Sequence, residues 1–459
     1  MTQAQSVIRP GGTALIDDRE SELAMLEDVA AHALRHARAC GADSAEVSVS
    51  SGHAREATVR LGEIDVVEDA RDRGVSITIY RDRASGSSST ADLSREALNE
   101  AVERAVAIAG HTQSDPAGGL ADPDRMAEEI GDFDLWHPID LGMNDLIERA
   151  RAIESAGLAF DPRVDNSEGA SVSVDAAVGV YANTHGFVGS SSRTRYGQSC
   201  VLVAKDRSGM QRDYDWDDRI AFDRLAGVDE TGRRAAERAV RRLGARSVAA
   251  EKVPVLFSPE VSCGLIQHLV GAASGGSLYR RSSFLLDQLG SAVFPDWVEI
   301  REDPHRPECP RSSSFDAEGV ATRASALIRE GTLDRYVLGS YSARKLGMET
   351  TANAGGVRNL IFHPGSRSFD QLVADMQRGL VVTEVMGQGV NLVTGDYSRG
   401  ASGFWVEDGE LAYPVEEITV AGNLREMFLG LQAAGCDIET RRNVQVPSLL
   451  IDRMTVAGQ

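Results

Sequence analysis

Apolar residues recur at helical spacing in two stretches near the start of the chain. The first runs from Ser21 to Cys40, where Gly41 supplies a C-cap, and the second follows Ser94, a residue type that favours the N-cap position. Between these stretches, apolar and polar residues alternate in three runs, which predict half-buried strands over 46–50, 57–61 and 75–80. The pattern predicts a compact lobe in which two helices flank a few strands.

The same two periodicities return after a connection that is rich in Pro, Gly and Asp, at 114–124. The elements predicted there are helices over 145–156 and 229–243, strands around 171–182 and 198–205, and a hairpin turn over 183–186. They form a second group of strands flanked by helices.

The second half of the chain has a different pattern, because glycine is frequent there and short strand-like runs dominate. Helical spacing is clearest over 260–271 and 423–435, and we place the main boundary at 244–251. The predicted class is therefore α+β. It comprises an N-terminal α/β lobe over 1–113, a second α/β lobe over 125–246, and a mainly antiparallel, barrel-like β domain with a few helices over 247–459.

The charge of the chain narrows the classes of partner. Its 459 residues include 48 Lys and Arg against 69 Asp and Glu, a formal net charge of −21. This acidity argues against a nucleic-acid partner, which requires a basic face. No apolar run approaches the roughly 18 residues of a membrane helix, and the first residues do not resemble a secretory signal. We expect a soluble, cytoplasmic protein without a membrane contact.

The common sequence signals for catalysis and metal binding are absent. No His is followed by Glu, and the chain has no Gly-x-Ser-x-Gly, no P-loop and no Gly-x-Gly-x-x-Gly. The cysteines lie far apart without a Cys-x-x-Cys pair, so neither a zinc knuckle nor a disulfide framework is indicated. They are Cys40, Cys200, Cys263, Cys309 and Cys436.

Two groups of polar residues are weaker candidates for metal binding. His32, His36 and Cys40 lie four residues apart and near one face of the first predicted helix. Three side chains on one straight helix rarely converge on an ion, so an ordinary helix face is the favoured interpretation. A second group is a conceivable cation site for which a solvated loop is favoured. It consists of Glu299, Glu302, Asp303 and His305.

The segment 391–403 places polar side chains beside glycines. Glycine lets another backbone approach closely, so an extended peptide or a partner chain is a candidate ligand of this segment. The residues that would contact it are Asn391, Gly395, Asp396 and Arg399. The alternative is a bulged hairpin whose glycines serve geometry alone, with Gly395 at a positive φ.

Several motifs of the second half resemble one protein family. Residues 315–320 (FDAEGV) followed by 327–333 (LIREGTL) are similar to its D-x-E-G … I-x-x-G-x-L signature, and 389–396 (GVNLVTGD) and the tail 447–458 match further. From about residue 42 to 458, the chain resembles the TldD/PmbA family, in particular its PmbA (TldE) branch. The resemblance implies a heterodimeric zinc peptidase that is linked to microcin maturation and to degradation of partly unfolded proteins. Its TldD subunit carries His-Glu-x-x-x-His and a later cysteine ligand.

The chain departs from the catalytic branch at the metal motif itself. Anchored on 279–284, the motif falls on 266–271, with Ile266 and Gly271 at the two histidine positions and Gln267 at the base. Ile and Gly offer no lone pair to a metal, and a neutral Gln cannot take a proton from a metal-bound water as a carboxylate does. His268 comes two positions late, and 438–446 lacks the cysteine. We therefore expect no catalytic residue and no cofactor in this chain, and zinc in the partner.

Three hypotheses follow from these observations. The favoured one is a non-catalytic subunit that joins a TldD-like catalytic subunit in a heterodimer and processes unfolded peptides; homodimerisation of the isolated chain is left open. The alternative is a self-associating peptide-binding or scaffold protein without a peptidase partner. The third is an independent hydrolase that uses the cluster at 299–305, where no nucleophile is paired with a base.

Overall fold

The computed structural model describes residues 15–16 and 18–458. The chain divides into two compact units, Met1–Val240 and Arg241–Gln459. No helix within the described ranges combines the length and the apolar composition needed to cross a bilayer.

One antiparallel sheet organises the first unit, with strand order β3-β2-β1-β4-β5-β6. The elements of this unit, in chain order, are α1 (Arg19–Ala39), β1 (Ser44–Arg60), β2 (Glu63–Arg81), β3 (Ala84–Thr90), α2 (Arg95–His111), α3 (Met143–Leu158), β4 (Val164–Asn183), β5 (Val188–Asp206), β6 (Gly209–Arg219) and α4 (Val228–Arg241). The strands of both predicted N-terminal lobes therefore join in a single sheet. Apolar residues of α1 and α2 pack against those of β1 and β2 in one core.

The four predicted helices of the first unit are confirmed to within a few residues, and so is the hairpin turn between β4 and β5. Strand is confirmed over 46–50 and over 57–60, but the break predicted between the two runs is wrong, because β1 continues through it. The intervening inward positions carry polar residues, which hid the alternation. His53 and Arg55 are buried there and are bonded to Asp69 of β2.

The second unit contains a closed barrel. Its elements are β7 (Glu251–Phe257), α5 (Pro259–Ala273), α6 (Gly275–Tyr279), β8 (Ile300–Glu302), β9 (Ser325–Arg329), β10 (Thr332–Leu333), α7 (Ser340–Leu346), β11 (Leu360–Phe362), α8 (Phe369–Met376), β12 (Gly379–Met386), β13 (Asp396–Glu407), β14 (Glu410–Asn423), α9 (Leu424–Leu429), β15 (Leu431–Ala434), β16 (Val444–Gln445) and β17 (Leu449–Gly458). The strand order β14-β13-β12-β7-β17 closes because β14 also pairs with β17. A second sheet has the order β10-β9-β8-β11-β16.

The predicted α+β class and the barrel-like second half are confirmed. The pairings are mainly antiparallel, with β7–β12 and β11–β16 parallel. The helix predicted over 423–435 is wrong in its second half, since α9 ends at Leu429 and residues 431–434 form β15 against β17. Pairing across the sheet outweighs the weak helical spacing of that segment.

Candidate functional site

The helix α5 carries Ile266, Gln267 and Gly271, the positions at which the sequence resemblance predicts the metal motif of the catalytic branch. Pro259 occupies the first turn, where proline is favoured, and apolar residues on one face enter the large core of the second unit. Ile266 is 0% exposed within that core, whereas Gln267 is exposed. A Cβ on Gly271 would lie 3.2 Å from Cδ1 of Leu392. These three positions face different surroundings and present no donor set, so the residues here do not fit a zinc ion.

His268, the histidine that comes two positions late, packs against β13. It is half-buried, and its ring meets the ring of Tyr397 edge-on with 6.2 Å between centroids. Burial, together with the positive charge of Arg399, lowers the pKa of His268, so the imidazole is neutral at pH 7. Burial raises the pKa of Tyr397 to about 12. The pair forms an uncharged contact between α5 and the barrel.

The candidate binding residues Asn391, Gly395 and Asp396 lie together in the tight loop that precedes β13. The Asn391 amide N–H donates to the Asp396 carbonyl at 2.8 Å, and the Gly395 amide N–H donates to the Asn391 carbonyl at 2.8 Å. The Asn391 side-chain oxygen accepts from the Val393 amide at 2.9 Å. Gly395 has φ +85°, in the region that favours glycine. The positive φ that the bulged-hairpin alternative requires is therefore observed at Gly395.

The loop is tied to the start of α9. Asp396 accepts from the Thr394 hydroxyl at 2.6 Å and from the Asn423 side-chain amide at 3.3 Å. The Leu424 amide donates to the Gly395 carbonyl at 2.7 Å. The side chains of Asn391, Thr394 and Asp396 nevertheless remain exposed. This face can contact a peptide or a partner through its side chains.

Arg399 and the glycines beyond it lie in β13, both of whose edges are occupied. Residues 400–406 pair with β12, and residues 396–407 pair with β14. The Arg399 Nε donates to the Met386 carbonyl at 3.1 Å, and its side chain is partly exposed. Strand addition therefore has no free backbone edge along 400–406, and Arg399 can contribute to binding only through its guanidinium group.

The signature at 315–320 has a structural explanation. Asp316 is 1% exposed and accepts from the backbone amides of Glu318, Val320 and Ala354. Burial, reinforced by the Glu318 carboxylate, raises the pKa of Asp316 to about 6. Glu318 itself accepts from the Ser340 amide at 2.8 Å, at the start of α7. These acids hold loops and a helix end in place.

The four residues of the cluster at 299–305 do not converge. Glu302 is buried and forms an ion pair with Arg335 and hydrogen bonds with Asn353. Glu299 accepts from the Glu330 amide at 2.7 Å. Asp303 accepts from the His305 amide at 3.1 Å, and the His305 ring lies 3.0 Å from the Thr322 hydroxyl. Neither the conceivable cation site nor the hydrolase centre of the third hypothesis is assembled by these four residues.

The histidines of α1 behave differently from one another. His32 Nε2 lies 2.9 Å from Oδ1 of Asn99, whereas His36 Nε2 lies 3.2 Å from Oε1 of Glu103 and 3.6 Å from Sγ of Cys40. Sequence reasoning missed Glu103 because it lies on α2, which only the fold brings beside α1. Burial, with the nearby Glu103 carboxylate, raises the pKa of the Cys40 thiol.

The chain matches models of one known protein family. Family models match in three consecutive pieces: PmbA/TldA metallopeptidase domain 1 over residues 45–109, the central domain over 136–243, and the C-terminal domain over 250–458. The matched ranges cover most of the chain.

Curated relatives and solved structures agree with this assignment. The chain is 42% identical to metalloprotease PmbA of Escherichia coli O157:H7 (97% of this chain, 99% of the relative) and 43% identical to a PmbA homologue of Haemophilus influenzae (97% and 98%). A Bacteroides thetaiotaomicron structure with the provisional description "modulator of DNA gyrase" superposes with TM-score 0.90 at 27% identity (97% and 100%). TldE of Thermococcus kodakarensis shares the fold, with TM-score 0.82 at 22% identity (95% and 100%). This chain therefore belongs to the PmbA/TldD metallopeptidase family, in its PmbA/TldE branch.

Proposed function

We propose that this chain is the non-catalytic subunit of a heterodimeric zinc metalloprotease that acts on unfolded peptides. The catalytic zinc lies in a TldD-like partner, and this chain completes the substrate-binding surface. We place the complex in the cytoplasm, with peptide maturation of the microcin type as the class of reaction. The relatives named metalloprotease support the peptidase part of the proposal.

One observation carries the assignment of a silent subunit. The resemblance to the catalytic branch places its first histidine position at Ile266 of α5 and its base position at Gln267, and Ile266 is buried in the core at 0% exposure. A buried aliphatic side chain neither binds a metal nor leaves room for one. Hydrolysis of a peptide bond at this helix would lack both the Lewis acid and the general base.

The loop at 391–396 is the proposed contact with peptide or partner. Asn391, Thr394 and Asp396 present amide, hydroxyl and carboxylate groups on a loop that hydrogen bonds fix to α9. A pre-organised polar loop loses little entropy when it binds, which suits recognition of chemically diverse peptides. Arg399 lies three residues further along the chain in β13, where its Nε donates to the Met386 carbonyl, and its positive charge is a further candidate contact.

Co-purification tests the heterodimer. This chain is co-expressed with a homologue from the same genome that contains His-Glu-x-x-x-His, and the native mass of each chain alone and of the mixture is measured. The proposal predicts a one-to-one complex that cleaves an unfolded protein in a chelator-sensitive reaction. A mixture that stays as two separate species, with this chain binding peptide as a homo-oligomer, would favour the scaffold alternative instead.

A further inference from the structure

Three different metal-binding groups meet where the end of α1 lies beside α2. The imidazole of His36, the thiol of Cys40 and the carboxylate of Glu103 each direct a ligand atom into one space, and these atoms all lie within 4.8 Å of one another. His36 Nε2 is the central atom, at 3.6 Å from Cys40 Sγ and 3.2 Å from Glu103 Oε1. The group lies at the surface, with the His36 side chain 24% exposed and the Glu103 side chain 60% exposed.

The fold explains why these three groups converge. His36 and Cys40 are four residues apart, so they occupy one face of the last turn of α1. The Cys40 amide donates to the His36 carbonyl at 2.9 Å, and Gly41, at φ +83°, ends the helix directly after it. The two helices contribute to one core, which brings Glu103 of α2 within reach. The third group comes from a second element, which removes the objection that donors on one straight helix do not converge.

The two separations from His36 are close to those of ligands that share one metal ion. With Zn–N of about 2.05 Å and Zn–S of about 2.3 Å, tetrahedral geometry puts nitrogen and sulfur roughly 3.6 Å apart and nitrogen and oxygen roughly 3.4 Å apart. The distances from His36 Nε2 are 3.6 Å to Cys40 Sγ and 3.2 Å to Glu103 Oε1. The third pair, Cys40 Sγ and a Glu103 carboxylate oxygen, lies within 4.8 Å, so side-chain rotation brings all three donors onto one ion.

We propose that His36, Cys40 and Glu103 bind a zinc-class divalent cation, with water completing a four-coordinate shell. A nitrogen, a thiolate sulfur and a carboxylate oxygen form a donor set that suits zinc rather than calcium or magnesium. The C-terminal end of a helix carries partial negative charge, which favours a cation there. His32 lies outside this group of ligand atoms, and its Nε2 is 2.9 Å from the Asn99 oxygen.

This site is separate from the metal motif of the family. It lies in the first unit on α1 and α2, whereas the degenerate positions lie on α5 in the second unit. A bound cation would join the end of α1 to α2 and stabilise that contact, without providing a peptidase centre. The inference does not depend on the proposed heterodimer, since metal binding and peptide cleavage are measured separately.

Metal titration of the full chain tests the site. Zn²⁺ affinity is measured by competition with a chromogenic chelator, and Co²⁺ is added as a spectroscopic substitute. We expect one Co²⁺ per chain, with the charge-transfer absorption of a cobalt–thiolate bond, and a melting temperature that rises with Zn²⁺ concentration. Cys40→Ser and His36→Asn should abolish that absorption or weaken Zn²⁺ binding about tenfold or more. Glu103→Gln, at an exposed side chain, should weaken binding without affecting the fold.

Matched variants separate this site from adventitious binding. Cys436→Ser removes an exposed thiol elsewhere, and Glu100→Gln removes an exposed carboxylate one turn away on α2. Both should leave the affinity and the cobalt spectrum unchanged. If binding is not saturable, or if Cys40→Ser and His36→Asn bind as the unaltered chain does, the three side chains form only a hydrogen-bonded group and the proposal fails.

Discussion

Individual residues in the second unit perform structural tasks that their chemistry alone would not reveal. Gly395 supplies a left-handed backbone conformation within the candidate binding loop, and Asp316 accepts three backbone hydrogen bonds inside the signature motif. Both belong to motifs by which the family was identified from sequence. A sequence motif of this kind can reflect the backbone conformation that a loop requires as well as a binding site.

Replacing Gly395 with alanine tests its conformational role. At φ +85° an alanine is strained, and its Cβ would lie 3.0 Å from the Asn423 side-chain oxygen. We expect the free energy of unfolding to fall by about 1–2 kcal/mol. Gly264→Ala is the control, because it lies in α5 with open space around it and should stabilise by about 0.5–1 kcal/mol. Equal effects of the two substitutions in thermal or denaturant unfolding would refute this assignment.

The buried acid Asp316 predicts a specific dependence of stability on pH. Burial raises the pKa of Asp316 from its ordinary value of 3.8 to about 6, so the folded state binds more protons between these two values. Its contribution to stability is therefore fully present below about pH 4 and is lost as the pH rises through 6, by about 3 kcal/mol at most. The free energy of unfolding is measured from pH 4 to 7 for the unaltered chain and for Asp316→Asn. The advantage of the unaltered chain over the variant should shrink as the pH rises, because the Asp316 contribution is lost. A difference that is independent of pH would contradict the buried, raised carboxyl.

At the scale of elements, apolar periodicity predicted α1 to α4 and α5 because each helix buries one continuous apolar face. Apolar periodicity fails where buried positions carry polar residues that have tertiary partners, and where pairing between strands overrides the local preference for helix. Periodicity does not reveal that β1 is continuous, because His53 and Arg55 are buried as partners of Asp69. It predicts helix over β15, because that strand is set by its pairing with β17, which lies further along the chain. Glu103 was missed for the same reason, since a contact between helices leaves no local pattern.

Glycines in β13 differ in what an added methyl group would meet. A Cβ on Gly403 would lie 1.9 Å from the Val381 carbonyl of β12, at a register shift between β13 and β14. We expect Gly403→Ala to destabilise by about 1–3 kcal/mol or more, because the barrel backbone must move. A Cβ on Gly400 of the same strand would lie 2.8 Å from Cγ of the exposed Met386 side chain, which can rotate away, and 3.7 Å from the Met386 carbonyl, so Gly400→Ala should change stability by only about 0.5 kcal/mol. Similar melting temperatures for the two variants would argue against a barrel packed this tightly.

The burial of α5 allows a prediction for a variant in which the metal motif of the catalytic branch is introduced. Ile266→His, Gln267→Glu and Gly271→His together place an imidazole in the core, which should cost about 2 kcal/mol or more. Ligands five residues apart lie about 140° apart on a regular helix, so a shared metal ion also requires a locally widened turn. We expect lower stability and no peptide cleavage by the isolated triple variant, whereas Gln267→Glu alone, at an exposed position, should fold normally. Chelator-sensitive cleavage by the triple variant would show that this account of the loss is incomplete.

At the scale of the whole molecule, the α+β class and the barrel-like second half followed from the change in glycine content and from the family motifs. Barrel closure itself did not, because it depends on β14 meeting β17, two strands whose pairing no local sequence feature specifies. The same holds for the single sheet that unites β1 to β6. The functional conclusion rests on family membership together with the burial of Ile266, which the sequence alone could not reveal.

The proposal that this chain is catalytically silent is tested most directly by activity measurements that determine which subunit of the reconstituted complex carries catalysis. Cleavage of an unfolded protein is measured with this chain alone, with the catalytic candidate alone, and with both together. We predict that the mixture cleaves the unfolded protein. Replacing the partner's motif glutamate with glutamine should abolish this cleavage, and Gln267→Ala in this chain should leave it unchanged. Cleavage by this chain alone, or a mixture that loses its activity through Gln267→Ala, would contradict the assignment of a silent subunit.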